Sequence, residues 1–126
     1  MKKIKTLRNY KTVWILFCLI QTVLILYGCL VLQSNDLKSP IFNFDKIIHS
    51  SIYIIFSWSW LQVTRNKKLT LFLVIIFSIL IEFIQPYFNR SFELLDILAN
   101  SIGVMLAILL NLKLKLENFF KLNRTF

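Results

Sequence analysis

The sequence predicts an all-α fold, a membrane-spanning bundle of four transmembrane helices with both termini cytoplasmic. Three observations predict it. The chain of 126 residues is 57% hydrophobic, with a mean hydropathy of +0.68 that lies far above the usual soluble range. Its apolar residues fall in long runs rather than in an alternating or 3.6-residue pattern, which is how integral membrane segments read. Its basic residues flank those runs and favour one side of the implied membrane. The expected helices cover about 13–32, 46–63, 69–85 and 92–112, and no stretch between them is long enough for a soluble domain. Residues 1–126 therefore read as a single membrane domain.

The first run, Val13–Leu32, follows the basic segment Lys2, Lys3, Lys5, Arg8 and Lys11. Its length suits a bilayer crossing and exceeds an ordinary signal-peptide core. Leu26-Tyr27-Gly28-Cys29 is a poor lipoprotein cleavage site, because Tyr27 is too bulky where a small residue belongs. Cys18, Thr22, Ile25 and Cys29 share a helical face suited to packing on a neighbour, and Gln21 beside them is expected to hydrogen-bond into the bundle. In a helix Cys18 and Cys29 stand about 16 Å apart along the axis, too far to form a disulfide.

A polar connector with Ser34, Asn35, Asp36 and Pro40 leads to the second helix, with Asn43 as a candidate cap. Asp45, His49 and Tyr53 are spaced four apart and stack on one face. The third run ends in Ser78, Glu82 and Gln85, which also share a face, and Pro86 loosens the helix there by removing an N–H. Ser91 is a candidate cap for the fourth helix. On that helix Asp96, Asn100, Gly103 and Ala107 form a stripe that is polar at one end and small along the rest. The basic tail from Lys113 onward suits the membrane interface.

Charge places the ends. Four spans put the N-terminus, the 65–68 turn and the C-terminus on one side, with Lys2, Lys3, Lys5, Arg8, Lys11, Arg65, Lys67, Lys68, Lys113, Lys115, Lys121 and Arg124. Only Lys38, Lys46 and Arg90 fall on the other side. The positive-inside rule makes the first side cytoplasmic. The net charge of +9 is thereby explained by topology and anionic lipid, and nucleic acid is not an expected partner. Asp45, His49, Glu82, Gln85, Arg90, Asp96 and Asn100 then converge at one depth, at the outer ends of spans two to four.

Asp45-Lys46-x-x-His49-x-x-x-Tyr53, Glu82-x-x-Gln85, Arg90 and Asp96-x-x-x-Asn100-x-x-Gly103 together resemble the signature of the VanZ-like family of small bacterial membrane proteins, over roughly residues 10–112. The resemblance implies a bacterial cytoplasmic membrane setting and a family whose named member is associated with resistance to the glycopeptide teicoplanin. It supplies no reaction.

The candidate pocket is Asp45, His49, Tyr53, Glu82, Gln85, Arg90, Asp96 and Asn100. Asp45 is placed to orient the ring of His49, the single histidine. Glu82 is either a buried partner for Arg90 or Lys46 or a ligand-binding group. Arg90 either clamps an anionic group bidentately or neutralises Glu82 and Asp96. Asp96 and Asn100 also read as a helix start and an interhelical hydrogen bond, Gln85 and Tyr53 as supporting groups, and Glu93, Asp36 and Lys38 as solvated. One histidine and no Cys/His spacing predict no metal, and no cofactor motif or Ser–His–acid spacing assigns a reaction. The leading expectation is binding of an envelope amphiphile, a lipid-linked precursor or lipoglycopeptide, from membrane lipid. The alternatives are an accessory subunit with a structural polar cluster and a transporter, the latter disfavoured because the inner halves offer only Gln62, Thr64 and Ser78.

Overall fold

The computed structural model describes residues 2–31 and 44–123, with side chains for 10–31 and 45–115. Four helices make up nearly all of it: α1 (Lys2–Leu30), α2 (Phe44–Thr64), α3 (Lys67–Ile84) and α4 (Leu94–Asn123), with a 3-10 turn at Gln85–Phe88 after α3. No strand occurs among the described residues. The connector with Ser34, Asn35, Asp36, Lys38, Pro40 and Asn43 lies outside them.

Two helices outrun their apolar runs. α1 begins eleven residues before Val13 and α4 runs on past Leu112 to Asn123, so both basic flanks are helical. Lysine and arginine are good helix formers, and nothing in either flank breaks the backbone pattern. The expected basic tail is thus a continuation of α4. At its other end α4 begins at Leu94, three residues beyond the expected cap Ser91, whose hydroxyl instead lies 3.4 Å from a carboxylate oxygen of Glu93.

Three stretches are long and apolar enough to cross a membrane, Tyr10–Leu30, Lys67–Phe88 and Leu94–Lys115. The sequence predicts four such spans; there are four helices, and α2 falls short of the other three on composition. Its apolar sequence is interrupted by Asp45, Lys46, His49 and four serines, Ser50, Ser51, Ser57 and Ser59.

α2 is also in contact with each of the other three helices. It packs along α4 and touches both α1 and α3. Tyr53, Phe56, Ser57, Ser59 and Leu61 are buried on it. Ser59 returns its hydroxyl to the carbonyl of Ile55 at 2.9 Å, so this hydroxyl reaches the interior with its hydrogen bond already made. Ile25, Tyr53, Phe56, Val74, Ile81 and Val104 form the apolar core. α1 lies at the edge, burying Cys18 and Ile25 while Val13, Leu16, Val23 and Leu24 stay exposed in the band that faces lipid in a membrane.

The α2–α4 seam is closest at Gly103. A Cβ there would run into the carbonyl oxygen of Ser50 and stand 3.0 Å from Tyr53 Cβ and 3.2 Å from Ile54 N. Ala107 further along the same stripe is fully buried. At the opposite end of α2, Asn66 caps α3 by accepting from Leu69 N at 3.2 Å, and the hydroxyls of Thr64 and Thr70 meet at 2.6 Å. That pairing closes the short α2–α3 turn. Gly103→Ala should therefore cost about 1–3 kcal/mol through overpacking against backbone. Gly28→Ala, with nothing within 4 Å of the added atom, should be neutral or gain up to about 1 kcal/mol of helix propensity. Thermal unfolding of the two variants in detergent checks the contrast.

Candidate functional site

One end of the bundle collects the C-terminus of α1, the N-terminus of α2, the 3-10 turn after α3 and the N-terminus of α4. The chain reaches it by two devices. Pro86 sits inside the 3-10 turn that follows α3, and Asn89 ends that turn at φ 58°, a left-handed conformation that asparagine tolerates. The reversal then delivers Arg90, Glu93 and Asp96 back over the end of α2.

Lys46 is the hub of what gathers there. Its ammonium is ion-paired to Asp96 Oδ1, donates to Glu93 Oε2 at 2.6 Å and reaches Asp45 Oδ2 at 3.3 Å. Asp96 is buried in the first turn of α4, where the helix end also favours its charge. His49, one turn along from Asp45, places Nε2 3.7 Å from Asp45 Oδ1 and 3.8 Å from Asp96 Oδ2. Lys46 and His49 thus address different oxygens of the same two carboxylates.

Behind this layer the interior is polar as well. Glu82 and Gln85 are each 1% exposed. The Glu93 backbone N–H donates to Glu82 Oε2 at 3.4 Å. Deeper, Asn100 Nδ2 donates to Ser78 Oγ at 2.8 Å, tying α4 to α3, and Tyr53 is buried as well. Arg90 donates from Nη1 to the Gly28 carbonyl at 3.2 Å, which links the turn to the end of α1.

A cavity of about 550 Å³ opens between α1 and α2. Asp45, His49 and Arg90 line its polar end, Tyr53 and Gln21 stand along it, and most of the remaining wall is apolar, as at Ile25 and Phe56. Of the predicted site residues, Asp45, His49, Tyr53 and Arg90 face this space, whereas Glu82, Gln85, Asp96 and Asn100 form the buried polar interior of the bundle.

Three expectations change. Asp96 takes Lys46 as its cation, where the sequence put Arg90 first. Glu93, expected to be solvated, bonds Lys46 through its carboxylate and Glu82 through its backbone. Gln21, expected to bond into the bundle, has its buried Oε1 without a hydrogen-bond partner. The signal for Glu93 was present: it lies three residues before Asp96, and Lys46 lies three before His49, spacings that put each pair on one helical face.

Fold and site define a polytopic helical membrane protein with a charged, partly buried cluster at one end. The chain belongs to the VanZ/LLP1 family, whose model matches residues 3–115. Comparisons with curated proteins and with solved structures find no match.

The Asn100–Ser78 bond gives a direct test of the interior. Asn100→Ala and Ser78→Ala should each lower stability by about 0.6 kcal/mol, the average for interhelical hydrogen bonds in a membrane protein, and by no more than about 1.7 kcal/mol, the largest. The double variant should lose less than the sum of the two. Unfolding in mixed micelles measures all three.

Proposed function

We propose that this protein lies in the bacterial cytoplasmic membrane with four spans and both termini inside, and that it binds a cell-envelope amphiphile in the groove between α1 and α2. The carrying observation is the shape and chemistry of that groove. Its wall is mostly apolar, Gln21 with its partnerless Oε1 lines it on α1, and Asp45, His49 and Arg90 form its polar end. A chain-bearing molecule with a charged head fits such a site, and its volume is in the range of ligand pockets, about 300–1,000 Å³. Arg90 suits an anionic head group such as a phosphate or carboxylate. A lipid-linked wall precursor or a lipoglycopeptide has this chemistry, and the family's association with teicoplanin resistance points the same way.

The reading of α2 as the fourth span rests on its position. Its 21 residues correspond to about 31 Å of helix, and it contacts each of the other three helices. The orientation rests on the distribution of basic residues and the positive-inside rule. A structural role in a larger complex is favoured over transport by one observation, the direct ion pairing of Lys46 across α2 and α4.

Two experiments test the reading. Single cysteines at Tyr87, 86% exposed, and Lys68, also exposed, in a background without Cys18 and Cys29, report topology. A membrane-impermeant thiol reagent should label position 87 in intact cells and position 68 only after permeabilisation, and the reverse pattern contradicts the orientation. Gly28 lines the groove with open space at its Cβ, so Gly28→Phe should fill it without unfolding the bundle. Native mass spectrometry should find a retained anionic amphiphile on the unmodified protein and its loss in Gly28→Phe. Leu109→Phe, on an exposed apolar face, should keep it. The same lipid complement in all three contradicts the groove.

A further inference from the structure

We propose that Asp45, His49 and Asp96 form a binding site for one divalent transition-metal ion at the polar end of the groove. A single histidine with no Cys/His spacing gives no hint of this in the sequence, because the third ligand comes from another helix. The three donor atoms lie within 4.8 Å of one another, two from adjacent turns of α2 and one from the first turn of α4.

The division of oxygens carries the argument. Lys46 takes Asp45 Oδ2 and Asp96 Oδ1. Asp45 Oδ1 and Asp96 Oδ2 turn instead toward His49 Nε2, at 3.7 and 3.8 Å. Those separations exceed hydrogen-bond reach. They are within the limit of about 4.3 Å for two donors on one ion with bonds of about 2.0–2.2 Å. The Asp45 side chain is 62% exposed and has room to rotate the remaining tenths of an ångström. An ion seated there meets no ammonium, since Lys46 sits on the far oxygens of both carboxylates.

Charge points the same way. Among the described residues this end holds four carboxyl groups, Asp45, Glu82, Glu93 and Asp96, against two permanent cations, Lys46 and Arg90. The carboxyl groups thus outnumber the permanent cations, a balance that favours a bound cation over an anion at this end. One imidazole and two carboxylates suit a first-row ion such as Zn²⁺ or Mn²⁺ better than a purely oxygen-seeking one. Asp45 and His49 also line the groove, so the positions left open on the ion face it. A phosphate or carboxylate held by Arg90 would lie on the same wall. The metal site itself does not require an amphiphile in the groove.

The test uses the full-length, tag-free protein in detergent, stripped with chelator and titrated with Zn²⁺ or Mn²⁺ alone. One equivalent should bind. Asp45→Asn, which alters an exposed side chain and leaves the fold in place, should weaken binding about tenfold or more, at least the effect seen when an outer-shell partner is lost. His49→Ala should do the same, and Glu93→Gln, whose carboxylate meets Lys46 and Ser91 but none of the three ligands, should retain the affinity. Failure to bind either ion, or an affinity in Asp45→Asn and His49→Ala unchanged from that of the parent protein, overturns the site. Loss of the amphiphile in Gly28→Phe with metal binding intact separates this proposal from the groove.

Discussion

An ammonium near the end of α2 is the constraint from which the rest of this bundle follows. Lys46 is 18% exposed at its side chain and cannot be left unpaired at that depth. Its partners across the seam are Asp96 in the first turn of α4 and Glu93 just before that helix, so the pairing fixes where α2 sits along α4. In that register the backbone from Ser50 to Ile54 meets Gly103, where an added Cβ would collide. The same register sets Asn100 opposite Ser78 and so brings α3 into line. α1, which contributes little to this framework, is left leaning on α2 with a cleft between them.

Much of this was legible in the sequence because membrane segments announce themselves by length and hydropathy. The four helices, the Asp96–Asn100–Gly103–Ala107 stripe and the Asp45–His49 stacking all follow from spacing on a helix. What could not be read was pairing between helices. Periodicity says that Asp96 faces inward but not whether Lys46 or Arg90 meets it, since that depends on how the turn after Asn89 folds back. Helix ends were misjudged for a related reason. Hydropathy marks where the bilayer ends, whereas the backbone of α1 and α4 continues in good helix formers beyond it. α2 shows the converse, a helix whose polar residues lower its hydropathy because they are used inside the bundle.

The functional proposals draw on the two faces of this arrangement. The interior layer of Glu82, Gln85, Asn100 and Ser78 is buried and ties α3 to α4. The layer of Asp45, His49 and Arg90 faces the groove, where an apolar wall and charged groups meet. Binding of an amphiphilic head group, alone or with a metal ion, makes use of that second layer and leaves the first to hold it in place.

The central claim is that the Lys46–Asp96 pair fixes α2 against α4, and a double-mutant cycle tests it most directly. Lys46→Met, Asp96→Asn and the double variant would be unfolded reversibly in mixed micelles with chelator present, so that no ion contributes. The account predicts that each single change is destabilising and that the coupling between them exceeds about 1 kcal/mol, inside the range for contacting residues. Additivity to within about 0.3–0.5 kcal/mol, the behaviour of independent sites, would contradict it.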